Sequence, residues 1–276
     1  MTSAFRPGDV LASRYRLVDL LVETGNGRFW RAHDVVLDRH VALHTIAADD
    51  ARADALLEAA RRSTAVVDRC LLRVLDASVT GEVCYVVHEW GAGISLDIMV
   101  GGGQVLDARQ AAWTVGQVAQ AVSRAHERGV SHGRLAPENV LVDRRGHVRV
   151  IGMCVDAALH GLPFDDPTTD VTDLAGLLHC ALTGTWAGTS RSGVRRAPSE
   201  HGRVLRPRRV RAGISRPLDA VCESTLNPRP GADPPTAAAI AEALRDVVGD
   251  DTGVPESLAA GLPPVRERFP DRKSVV

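Results

Sequence analysis

The strongest constraint on this chain is a change of hydrophobic period at residues 90–93. Over 15–46 short apolar runs (16–22, 29–32, 41–46) alternate with turn signals such as 23–27, which predicts a meander of strands. The alanine-rich stretch 51–67 carries Leu56, Leu57 and Ala60 at helical spacing, and 71–79 and 83–89 read as two more strands. Residues 90–93 form a linker, and beyond it the period is that of helices. Asp107 is placed to cap a helix over 107–129, with Ala111, Val115, Val118, Val122 and Ala125 as its apolar stripe and Gly129 as its stop. Short strands at 140–142 and 148–151, joined by the turn 143–146, precede helices at 171–182, 217–226 and 236–247, the last capped by Thr236. A β-rich segment, a hinge and a helical segment together predict an α+β, two-lobed architecture.

Several function classes drop out on composition. A net charge of -1 over 276 residues and a pI of about 6.8 give no global attraction for nucleic acid or a membrane surface. Cys70, Cys84, Cys154, Cys180 and Cys222 contain no C-x-x-C pair and are odd in number, which fits reduced core thiols in a cytoplasm. No signal-peptide core opens the sequence, and no run of 18 apolar residues occurs. One segment is locally basic: between Arg191 and Arg216 nine arginines face a single acid, Glu200. It reads either as a solvated loop or as a docking patch centred on Arg206, Arg208, Arg209 and Arg211. Residues 249–276 lack periodicity and read as a disordered tail or juxtamembrane linker.

A set of motifs is more specific. Tyr15-Arg-Leu, Phe29-Trp-Arg-Ala-His-Asp, Leu37-Asp-Arg-His-Val-Ala, Arg73-Val-Leu-Asp, Tyr85-Val-Val-His-Glu-Trp, Ala125-His-Glu-Arg-Gly-Val, Pro137-Glu-Asn-Val-Leu-Val and Leu182-Thr-Gly occur in order. Together they resemble a bacterial serine/threonine protein kinase domain over residues 8–248, with a first lobe at about 8–90 and a second at about 94–248. The resemblance implies a bilobal kinase-like fold and lets each position of the family's machinery be looked up.

At those positions the residue types differ. The glycine-rich loop reads Val22-Glu-Thr-Gly-Asn-Gly, which leaves Gly25 and Gly27 as vestiges. His44 stands where the family's phosphate-holding lysine would be, and Ala59 where its glutamate partner would be. In His132-Gly-Arg-Leu-Ala-Pro-Glu-Asn, Arg134 replaces the aspartate base and Ala136 the lysine, and a guanidinium accepts no proton. Asn139 survives, but Gly152-Met-Cys replaces D-F-G and so loses its metal-binding aspartate. His132 and Asp170 match fold-supporting positions. The resemblance therefore implies a pseudokinase: not an enzyme, with no cofactor and no metal, acting as a regulatory protein-interaction module. The alternatives are nucleotide binding without transfer, a structural dimerisation module, or an atypical active kinase using a neighbour such as Glu23 or Glu138.

Met153, the stretch 202–213 and the motifs at Arg28 and Leu37 resemble, more narrowly, actinobacterial pseudokinases associated with the MviN/MurJ-type lipid II flippase. That likeness implies the cytoplasmic part of a membrane-anchored protein, an active Ser/Thr kinase as modifier, and a forkhead-associated domain as partner. It also makes Thr252, in Asp250-Asp-Thr-Gly-Val-Pro, the candidate phosphosite, the plainer reading being an ordinary tail threonine.

Overall fold

The structure, a computed structural model, describes residues 5–101 and 103–263. Its first lobe is an antiparallel sheet. Strands β1 (Val10–Leu11), β2 (Tyr15–Thr24), β3 (Gly27–Asp34) and β4 (Arg39–Ala47) form the expected meander, and helix α1 (Ala53–Ser63) follows. Strands β5 (Val74–Thr80) and β6 (Val83–Glu89) complete the order β1-β2-β3-β4-β6-β5. Successive side chains on a strand point to opposite faces, and this alternation assigns the residues of β4 and β6. Val41, Leu43, Val83, Tyr85 and Val87 join Leu17 and Trp30 in one apolar cluster, whereas Ile46, Cys84 and Val86 join a second beneath α1. His44 and His88 have the parity of the second set, so they face the space between the lobes.

Past the linker come β7 (Ile94–Ser95) and α2 (Leu96–Gly101), then α3 (Ala108–His126). The cap of α3 is the one expected: the Asp107 carboxylate accepts from the Arg109 and Gln110 N–H groups, and Gln110 reaches back to close a capping box. Strands β8 (Val140–Val142) and β9 (Val148–Val150) pair with β7, and α4 (Val155–Leu159) and α5 (Pro167–Thr183) follow. Helix α5 starts ahead of the expected 171, because Asp166 caps it and Pro167 occupies its first turn. The arginine-rich stretch contains the small hairpin β10 (Ser199–Glu200) and β11 (Arg203–Val204), then α6 (Pro207–Val210). Helices α7 (Arg216–Leu226), α8 (Ala237–Val248) and α9 (Val254–Ala260) end the lobe.

Helix α9 corrects the expectation of a structureless segment from 249. Val254 and Leu258, four residues apart, are buried on the side of α9 that meets α3, so its order comes from packing rather than from a long periodic stripe. Residues 264–276 of that expected tail lie outside the described residues.

The two lobes share one core. The larger apolar cluster runs from Ile46, Leu56 and Val86 through to Val118, Leu174 and Leu178. Backbone bonds cross as well: the Leu72 N–H donates to the Val150 carbonyl at 2.9 Å, and the Val150 N–H to the Cys70 carbonyl at 2.6 Å. All five cysteines are free and buried, and burial pushes the thiols of Cys70, Cys154 and Cys180 up to about 12. Among the described residues no helix is long and apolar enough to cross a membrane.

Candidate functional site between the lobes

On the sheet side, the His44 ring stacks on Phe29 with centroids 4.3 Å apart, and His88 meets it edge-on at 5.6 Å. Burial pushes the two imidazoles down to about 4 and about 3, against a smaller upward pull from Asp156 on each. Both are neutral at pH 7, and among the described residues His88 Nε2 has no hydrogen-bond partner. Ala59 is fully buried in α1, and its neighbour Glu58 points outward to pair with Arg61 at 2.7 Å. Gly27 has φ +109°, and a Cβ there would lie 2.5 Å from the Thr45 carbonyl oxygen, so glycine is demanded by the sheet itself.

Arg52, which the motif comparison missed, closes the front of this side. Its guanidinium is held by Asp50 at 2.6 Å and donates to the Gly25 carbonyl at 3.1 Å, Asn26 Oδ1 at 3.2 Å and the Leu159 carbonyl at 2.6 Å. The loop that carries Gly25 is thereby tied to α4 of the second lobe.

The other side is built on Asp170. Its fully buried carboxylate accepts from the backbone N–H groups of His132 at 2.7 Å and Gly133 at 2.8 Å, and His126 Nε2 lies 2.9 Å away. His132 in turn sets its Nε2 against the Ile151 carbonyl at 2.9 Å. These bonds fix the segment that presents Arg134 and Asn139. Arg134 does not point to solvent: Nη1 lies 2.5 Å from Asp156 Oδ2, and Nη2 donates to the Arg191 carbonyl at 3.0 Å. Asn139 Nδ2 donates to the same Asp156 oxygen at 3.0 Å, and its Oδ1 accepts the Ala136 N–H at 2.9 Å. Burial opposes ionisation of Asp156, but hydrogen bonds from His160 and Asn139 and the Arg134 charge hold its carboxyl well below the usual carboxylate range.

Asp156 is the site residue that sequence reasoning did not find. It sits beyond the D-F-G position and reaches Asn139 because Gly152, at φ +85°, and Cys154, at φ +60°, turn the chain into α4. A Cβ at Gly152 would lie 2.7 Å from Asp156 Cβ, so an aspartate restored at 152 would displace the one already there. The magnesium that a kinase pattern implies does not fit this arrangement. Asn139 Oδ1 faces an N–H, and the Asp156 oxygens are held by Arg134, Asn139 and His160. Among the described residues no group of three or more metal-ligating side chains assembles.

Of the candidate docking arginines, Arg206 pairs with Asp219 at 3.8 Å and Arg209 with Glu200 at 3.2 Å. Arg211 donates to the Leu106 and Leu182 carbonyls at 3.3 and 3.0 Å, and Arg208 holds Asp219 through its backbone N–H at 3.0 Å. Thr252 is exposed between α8 and α9, its Oγ1 donating to Asp250 Oδ1 at 2.7 Å.

A curled sheet, a hinge, and a loop anchored on Asp170 beneath the cleft define a protein-kinase-like fold. The chain is homologous to bacterial serine/threonine protein kinases. It is 24% identical to serine/threonine-protein kinase PrkC of Bacillus subtilis over 156 residues, which is 55% of this chain and 24% of that protein. It is 32% identical to PksC of Streptomyces coelicolor over 156 residues, 50% of this chain and 27% of that protein. To PknA of Mycobacterium tuberculosis it is 29% identical over 166 residues, 55% and 38% respectively. The matched stretch is thus less than half the length of each of these curated relatives. No protein-family model matches the chain.

These relatives are named as enzymes, and this overturns the expectation that the chain is not one. That expectation weighed three motif positions, His44, Arg134 and Gly152. Asp156 brings a carboxylate to 3.0 Å from Asn139 from a position the motif does not record.

Proposed function

We propose that the chain is a regulatory module of kinase fold that works by docking other proteins. One observation carries this reading: across the cleft floor Arg134 and Asn139 both donate to Asp156 while His132 is taken up by the Ile151 carbonyl, so recognition falls to the outer surface. Exposed Thr252 supports a phosphorylation-dependent contact. A phosphate there adds about two negative charges and three acceptor oxygens, which suits the arginine-bearing pocket of a forkhead-associated domain, with an active Ser/Thr kinase as the donor. The narrower resemblance extends the proposal to control of peptidoglycan precursor export through a lipid II flippase, with this chain as the cytoplasmic part of a membrane-anchored protein. The test is a pull-down with a forkhead-associated domain. The kinase-treated full chain should be retained and its Thr252→Ala form should not. Equal retention of treated and untreated chain would remove the phosphothreonine link.

A second reading, nucleotide binding in the cleft, is favoured by the homology to serine/threonine protein kinases. A ligand that binds only the folded state stabilises it by about 2.7 kcal/mol at a hundredfold excess over Kd. Millimolar ATP should therefore raise the unfolding midpoint, and an unmoved midpoint would dismiss this reading.

A further inference from the structure

The misfit between magnesium and the cleft floor has a positive counterpart. A half-buried carboxylate and an amide lie where a kinase would keep its metal, and the group seated against them is a side-chain cation. We propose that the Arg134 guanidinium is the cleft's built-in cation, taking the place of a divalent metal beside Asp156 and Asn139.

Charge and geometry both support this. One guanidinium balances one carboxylate and occupies its oxygen, whereas a hard divalent ion needs that oxygen free together with about five further oxygen ligands, several of them water. Asp156 is the carboxylate that meets Asn139 at the floor, and Asn139 has its oxygen turned away to Ala136. Arg134 and Asp156 are only 14% and 15% exposed, so water compensates neither charge well and each requires the other. The guanidinium is also anchored from its far side by the Arg191 carbonyl, which keeps it from swinging out to admit an ion. On the carboxylate side, the space at Gly152 is what lets Asp156 sit where it does. The inference needs neither Thr252 nor a docking partner, so its outcome is separate from that of the pull-down.

The probe is manganese alone, titrated into the full 276-residue chain and followed through the signal of the free ion. Wild type should show no saturable binding up to about 1 mM, a Kd that corresponds to about -4.1 kcal/mol. Arg134→Gln, which removes the charge and keeps much of the volume, should bind at least about tenfold more tightly, a gain of about 1.4 kcal/mol. Arg134→Gln combined with Asp156→Asn should lose that binding again. Wild type binding manganese as tightly as the glutamine variant, or a folded glutamine variant with no gain, overturns the proposal. Should that variant fail to fold, wild type carries the test: sub-millimolar manganese should leave the Asn139 side-chain amide resonance sharp, and broadening would overturn the idea.

Discussion

On the sheet side of the cleft, His44 and His88 sit against Phe29 and Val86 and are kept neutral by burial. On the opposite side, Arg134 and Asp156 stay charged and are held by each other. The first arrangement avoids buried charge; the second keeps charge and matches it. A neutral buried ring tolerates replacement by another apolar group, whereas half of a matched pair leaves an uncompensated ion in a poorly hydrated place. The two sides should therefore respond differently to mutation and to acid.

The largest effect belongs to the charged side. Asp156→Ala strands Arg134 against a single carbonyl, and urea unfolding should record a loss of about 3 kcal/mol. Replacing both partners by apolar residues, Arg134→Met with Asp156→Leu, should cost far less than that single change. Similar losses for the single and double variants would show that matching of charge is not what holds this side.

Acid should act on the neutral side. The unfolded imidazole titrates near 6.5 and the folded ones near 4 and 3, so at mildly acidic pH the unfolded chain binds more protons. Their contribution is fully present above pH 6.5 and is lost as pH falls toward 4 and then 3. By pH 5 the loss should reach a few kcal/mol. A thermal-midpoint profile of His88→Leu should be visibly flatter than wild type over pH 5–7, and superimposable profiles would break the contrast between the two sides.

The smallest effect lies at the clamp that joins them. Arg52→Ala removes the bonds to Gly25, Asn26 and Leu159 from a side chain that is 22% exposed, and should cost about 1 kcal/mol. Faster hydrogen exchange at residues 24–26 is the expected signature, with the core of α3 unchanged. Unaltered exchange there would show that the loop is held by the sheet alone.

The parts of this fold legible in sequence were those written in period and cap. The strand meander of the first lobe, Asp107 at α3 and Thr236 at α8 are all local signals, and the structure has each of them. What could not be read depends on tertiary packing. Helix α9 forms because Val254 and Leu258 find α3, a partner far away in the chain. Helix α4 depends on a positive φ at Cys154, a conformation that cysteine does not advertise. Asp156 is the costliest omission, since its position relative to Asn139 is set by that same turn. Arg134, by contrast, was legible as a loss, but its new partners were not.

The apolar cluster that passes from beneath α1 into α3 and α5 bears on how the molecule comes apart. With Cys70 and Leu72 also bonded through Val150, the sheet lobe has no separate interior on its cleft side that it could keep if the helical lobe melted. Heat should therefore dissolve both lobes in a single calorimetric transition, with matching van't Hoff and calorimetric enthalpies, and a chain cut at the hinge should leave a sheet that does not hold its shape alone.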